Sequence, residues 1–120
     1  MRILIIEDEF LVADYLESVV RRMGHDEVFV AYDLATGRTL LNSVAPDFAI
    51  LDVNIGQVLV FPLAVELLRR KIPFVFSSAK PESSFPDEWH DHPTVPKPLD
   101  AKKLIAAMAA LGLSSTKTAD

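Results

Sequence analysis

Two rhythms alternate along the chain: short unbroken apolar runs of strand length, and longer stretches in which apolar side chains return every three or four positions. The first run, Ile3-Leu4-Ile5-Ile6, is stopped by Glu7 and Asp8. Behind it Leu11, Val12, Leu16, Val19, Val20 and Met23 recur at helical spacing, Asp14, Glu17, Arg21 and Arg22 take the other face, and Gly24 follows as a stop. Val28 to Ala31 reads as a second strand. Asp33 is placed to cap a helix through Val44 whose apolar points are Leu34, Leu40, Leu41 and Val44, with Pro46 ending it. Phe48-Ala49-Ile50-Leu51 runs into Asp52 and a loop with Asn54 and Gly56. A helix carrying Leu63, Ala64, Leu67 and Leu68 closes on Arg69-Arg70-Lys71, cations suited to a helix C-terminus. Pro73 opens the strand Phe74-Val75-Phe76, and Thr94-Val95-Pro96 runs into Lys97. Asp100 is the expected cap of a last helix with Leu104, Ile105, Met108 and Leu111 on one side. Continuous apolar strands alternating with helices predict the α/β class, a doubly wound parallel five-stranded sheet covered on both faces.

Residues 79–93 break the rhythm. A crossover helix belongs there, yet Pro81, Pro86, Pro93 and the Ser83-Ser84 pair oppose a long one. The expectation is a short helix from Pro86 to about Asp91, with Trp89 packing back onto the sheet, so that the fourth helix is shortened or disordered. Val58-Leu59-Val60 is expected to pack over the helix that follows. One domain spans residues 1–112, and 113–120 read as a disordered tail.

If the strands are parallel neighbours, Glu7, Asp8, Asp52 and Lys97 gather at one edge of the sheet, where open α/β folds place their ligands. Carboxylates about 4 Å apart near a surface repel by roughly 4 kcal/mol at an effective dielectric of ~20. A hard divalent cation relieves that, and magnesium typically takes one or two carboxylates together with waters and a phosphate oxygen. Glu7, Asp8 and Asp52 thus read as a Mg²⁺ site awaiting a phosphoryl group.

Composition narrows the classes further. With 120 residues, half of them apolar, a second domain does not fit. A net charge of −5 with scattered Lys and Arg argues against direct nucleic-acid binding. The absence of cysteine excludes disulfides and thiolate sites. No stretch approaches membrane-spanning length and the N-terminal apolar run is too short for a signal peptide, so the expectation is a cytoplasmic protein without a membrane partner.

With the acid pair Glu7-Asp8 after the first strand, Asp52 after the third, Ser78-Ala79 after the fourth and Lys97-Pro98 after the fifth, residues 1–112 resemble the receiver domain of two-component response regulators, a flavodoxin/CheY-like fold. Phe61-Pro62 and Pro73-Phe74-Val75-Phe76 resemble the stand-alone receivers of alphaproteobacterial type. The resemblance implies that Asp52 takes a phosphoryl group from a sensor histidine kinase of the HWE or HisKA2 type, and that Glu7, Asp8, Asp52 and the Asn54 carbonyl hold Mg²⁺. It also implies that Lys97 and Ser78 contact the phosphoryl oxygens and that an unknown downstream protein reads the state. Such a chain is a phosphoacceptor rather than an enzyme on separate substrates. A cis Lys97-Pro98 bond is expected on the same ground. The chain departs from the pattern in two places: Phe76-Ser77-Ser78-Ala79-Lys80 lacks the glycine and tyrosine of these relatives, and Thr94 replaces the switch aromatic. A remodelled output face, with ordering of residues 79–93, is the corresponding expectation.

Each residue has a plainer reading. Asp52 can cap a turn, Glu7 and Asp8 can serve the first helix, Ser78 can form a turn, and Lys97 can be a solvated cation. His90 and His92 lack a third strong zinc ligand, and His25 suits a solvated helix end. Other classes fit less well. An aspartyl-phosphate hydrolase wants an acid where Asn54 stands, and Glu7-Asp8-Glu9 would repel a flavin phosphate lacking a cation. A pseudo-receiver that binds partners without phosphorylation is the nearest alternative.

Overall fold

The structure, a computed structural model, describes residues 1–113. Of the tail read at 113–120, Leu113 is partly buried against the core and residues 114–120 lie outside the described residues. Strands β1 (Arg2–Ile6), β2 (Glu27–Ala31), β3 (Phe48–Asp52), β6 (Phe74–Ser78) and β7 (Thr94–Pro96) form one five-stranded sheet in the order β2-β1-β3-β6-β7. Every pairing in it is parallel. The chain steps from β1 outward to β2 and then back across to β3, so the order reverses at β1/β3, and a crevice opens beyond the carboxyl ends of those two strands. A two-stranded antiparallel hairpin, β4 (Asn54–Ile55) with β5 (Val58–Leu59), stands outside the sheet directly after Asp52.

Strand alternation splits the core into two layers. Leu4, Ile6, Ala49, Leu51, Phe74 and Phe76 face helices α2 (Leu34–Val44) and α3 (Phe61–Arg69), while Ile3, Ile5, Phe48, Ile50, Val75 and Val95 face α1 (Phe10–Arg22) and α4 (Ala101–Ala110). The expected caps form: Asp33 Oδ1 accepts from Thr36 N–H at 2.7 Å and Asp100 Oδ1 from Lys102 N–H at 2.9 Å. Gly37 lets α2 lie close on the sheet, since an added Cβ would come within 2.5 Å of Ile6 Cδ1.

The fourth crossover is short as expected, but it is two single turns of 3-10 helix, Glu82–Ser84 and Asp87–Trp89, not one helix from Pro86. Aromatic bulk replaces helix length. Trp89 lies 5.5 Å from the Phe76 ring and 5.9 Å from Phe61, Phe85 packs on both, and His92 stacks on Phe74 at 4.1 Å. With Phe85 and Trp89 buried, this segment is already packed on the sheet, not loose.

Some placements differ from the sequence reading. Leu11 and Leu68 sit on the edges of their helices and are 84% and 53% exposed. Val58 and Leu59 point into solvent on the hairpin, and only Val60 is buried. His25 is no solvated cap: its ring is buried, and both nitrogens lack a hydrogen-bond partner among the described residues. Burial, with the N-terminal ammonium nearby, holds its pKa below the usual value. Arg69 and Arg70 both bind Glu66 instead of serving the helix end alone. Among the described residues no helix is long and apolar enough to cross a membrane.

Candidate functional site

The register of the sheet builds the site. Ile6 pairs with Leu51, so Glu7 and Asp52 leave neighbouring strands at the same height; Asp52 pairs with Ser77, and Ser78 with Pro96, which brings Lys97 in from the far side. Lys97 N–H donates to the Ser78 carbonyl at 2.9 Å and the Lys97-Pro98 peptide is cis. Glu7, Asp8 and Asp52 each offer a carboxylate oxygen, and these oxygens lie within 4.8 Å of one another. Glu7 and Asp52 are buried and Asp8 is exposed at the mouth.

Lys97 Nζ stands 3.0 Å from Glu7 Oε1, 3.3 Å from Asp52 Oδ2 and 3.6 Å from Glu9 Oε1. One cation thus faces several carboxylates, which leaves the pocket short of positive charge. Glu7 Oε1 forms this ion pair without accepting a directed hydrogen bond from any described group, although it is fully buried. Burial and then the Glu7 charge push the Asp52 carboxyl up to about 7, against the pull of Lys97. Burial opposes the charge on Lys97, yet its pairing with Glu7 and Asp52 prevails and raises its pKa. Asp8 is partly desolvated, but the hydrogen bond from Gly56 N–H at 2.7 Å prevails and holds its pKa below the usual carboxylate value.

This donor set fits a divalent cation: hard oxygens only, clustered, excess negative charge, and a buried carboxylate oxygen lacking a directed partner. The plainer roles are only partly filled. Glu7 Oε2 accepts from Glu9 N–H at 3.1 Å, Asp52 Oδ1 from Asn54 N–H at 3.3 Å, and the Glu9 side chain does not cap α1. Ser78 lies one position beyond the partner of Asp52 on β6, and its Oγ accepts from Lys80 N–H at 3.0 Å. That bond uses a lone pair and leaves the hydroxyl proton free to donate. Thr94, in the place of the expected aromatic, turns its hydroxyl to the His92 carbonyl. His90 and His92 bind the carbonyls of Phe85 and Phe74, so neither forms a metal cluster among the described residues. Glu9 and Gly56 join the site without having been singled out; the acid run Glu7-Asp8-Glu9 was the signal for the first, and nothing local marks the second.

No protein-family model matches the chain, and neither does any curated protein. Solved structures do. SdrG from Sphingomonas melonis Fr1 is similar at 33% identity and TM-score 0.83, over 94% of this chain and 97% of that one. A second structure, of SdrG in its BeF3-activated conformation, matches with TM-score 0.78 over 92% and 94%. The response regulator PhyR from Brucella abortus is similar at 27% identity and TM-score 0.78 over 90% of this chain, which spans only 46% of that protein. The receiver (REC) domain of Erythrobacter litoralis PhyR, 24% identical with TM-score 0.82, shares the fold over 99% of this chain and 95% of its own. With one third of positions identical to SdrG over nearly the whole of both chains, and with the acids and the lysine at the strand ends where such domains carry them, this chain belongs to the receiver domains of response regulators.

Proposed function

We propose that the chain works as a stand-alone cytoplasmic receiver: Asp52 accepts a phosphoryl group from the phosphohistidine of a sensor histidine kinase of the HWE or HisKA2 type, and the aspartyl phosphate signals by binding a partner or drains phosphoryl groups. The observation that carries this reading is the pocket of Glu7, Asp8 and Asp52 around Lys97, over-supplied with buried negative charge. An Asp52 carboxylate oxygen forms the O–P bond as the N–P bond breaks, its electron pair staying with the imidazole. Glu7, Asp8, Asp52 and the Asn54 carbonyl would hold Mg²⁺, which would supply the positive charge that lets a phosphoryl group approach these acids. Lys97 Nζ, already 3.3 Å from Asp52 Oδ2, transfers its contact to a phosphoryl oxygen as a point charge. Ser78, its oxygen engaged by Lys80 N–H, donates its proton to another. Catalysis of this kind is positioning and charge neutralisation, so the chain assists its own phosphorylation and dephosphorylation and acts on no separate substrate.

Incubation with acetyl phosphate and Mg²⁺ tests the reading by intact mass. The expected result is a gain of one phosphate that Asp52→Ala abolishes. A folded, Mg²⁺-bound protein that gains no mass would instead be a pseudo-receiver that only binds partners.

A further inference from the structure

The hairpin of β4 and β5 hangs on the acids it borders. At its base Val60 N–H donates to the Val53 carbonyl at 2.9 Å, and Ile55 is buried beneath it. Its tip is lightly packed: a Cβ built at Gly56 meets no atom of the described residues within 4 Å, and Val58 and Leu59 are 56% and 50% exposed. A two-stranded ribbon of this size is marginal by itself. What holds the tip is Gly56 N–H, which donates at 2.7 Å to Asp8 Oδ2 across 48 positions of sequence. A second amide of the hairpin, Asn54 N–H, reaches Asp52 Oδ1. Two of the three clustered carboxylates therefore anchor the same ribbon.

We propose that this hairpin senses cation loading: Asp8 holds the tip down while the acids lack a cation, and a cation shared by Glu7, Asp8 and Asp52 releases it. The inference rests on the cation site described above. A hydrogen bond to a full carboxylate charge is about twice as strong as one to a neutral acceptor. A divalent cation that draws on the Asp8 charge weakens the bond to Gly56 whichever Asp8 oxygen it takes, and one that takes the Oδ2 lone pair facing Gly56 displaces it. The tip has little packing to fall back on. Release moves Leu59, which with Phe61, Lys80, Phe85 and Pro86 lines a groove of about 430 Å³, so the charge state of the pocket reaches an exposed apolar surface. Coupling is reciprocal, so whatever loosens the tip by other means must tighten cation binding.

Amide hydrogen exchange by ¹⁵N NMR on the full metal-free chain, titrated with Mg²⁺ alone, tests this. The expected result is exchange at Gly56 accelerated about tenfold, with the same midpoint as the saturable shifts of the Glu7 and Asp52 amides. Saturable shifts at Glu7 and Asp52 with Gly56 exchange unchanged or slower would overturn the proposal and leave the cation site standing. No saturable shift at any of them would overturn both. In Gly56→Ala the left-handed backbone at φ 62° strains the anchored turn. The Mg²⁺ dissociation constant should then fall about threefold or more by the same coupling, and an unchanged or higher constant counts against the tether.

Discussion

Removing the charge of Asp52 should stabilise the metal-free protein, against the usual cost of changing a buried residue. The Asp52 carboxyl titrates at about 7 in the folded chain and near 3.8 when exposed. The folded state therefore binds a proton there more tightly than the unfolded state. The stability this contributes is complete below pH 4 and is lost as pH rises through about 7. At about 1.4 kcal/mol per pH unit, the interval amounts to about 4 kcal/mol of destabilisation at pH 8. Asp52→Asn keeps the shape and the acceptor facing Asn54 N–H while discarding the charge, and should recover most of that, about 2 to 4 kcal/mol. For a chain of this size the melting temperature would rise by about 10 °C. Urea unfolding in EDTA at pH 4 to 8, followed by far-ultraviolet circular dichroism, measures it. The gain must grow between pH 4 and 7 and level off above. A gain absent at pH 8, or equal at all pH values, would mean that burial and the Glu7 charge do not outweigh the pull of Lys97 on Asp52.

Other consequences follow from the same structure. Mg²⁺ at about a hundred times its dissociation constant should stabilise the wild type by about 2.7 kcal/mol and Asp8→Asn far less, as thermal melts will show; equal shifts would place the cation elsewhere. Trp89→Ala opens a cavity among Phe61, Phe74 and Phe76 and should cost about 3 to 5 kcal/mol in urea unfolding; a cost under about 1 kcal/mol would contradict its role as the replacement for a helix. Below pH 6.5 the unfolded chain protonates His25 more readily than the folded one, so the His25 contribution to stability is lost as pH drops from 7 to 5, opposite in sign to the Asp52 contribution. In the Asp52→Asn background, His25→Phe should remove that loss in urea unfolding, and an unchanged pH dependence would show the ring to be hydrated.

The strands and the gathering of Glu7, Asp8 and Asp52 were legible because two constraints coincide: apolar runs of strand length need burial on both faces, and residues that follow neighbouring parallel strands meet at one edge of the sheet. Asp33 and Asp100 could be read as caps because an N-cap depends on a side chain three or fewer positions away. Helical periodicity identified the buried faces but not their edges, hence the exposure of Leu11 and Leu68. Val58 and Leu59 read as packing because two-residue strands carry no periodic signal, and their hairpin is held by Asp8, distant in sequence. His25 follows a glycine stop and so looked like a solvated turn. Its burial is a tertiary effect, which no local pattern encodes. The proline-rich crossover was half legible: prolines excluded a long helix, and Trp89 had to pack somewhere, but two 3-10 turns depend on the aromatic surface beneath them.

A crystal structure grown with Mn²⁺ and beryllium fluoride tests the central claim most directly, since fluoroberyllate on a carboxylate stands in for the transferred phosphoryl group. The account predicts an anomalous peak held by the Glu7, Asp8 and Asp52 carboxylates and the Asn54 carbonyl. It also predicts fluoroberyllate bonded to Asp52, with Lys97 Nζ and Ser78 Oγ on its fluorines. Manganese bound away from Glu7, Asp8 and Asp52, or an Asp52 carboxylate left bare beside a loaded metal site, would contradict it.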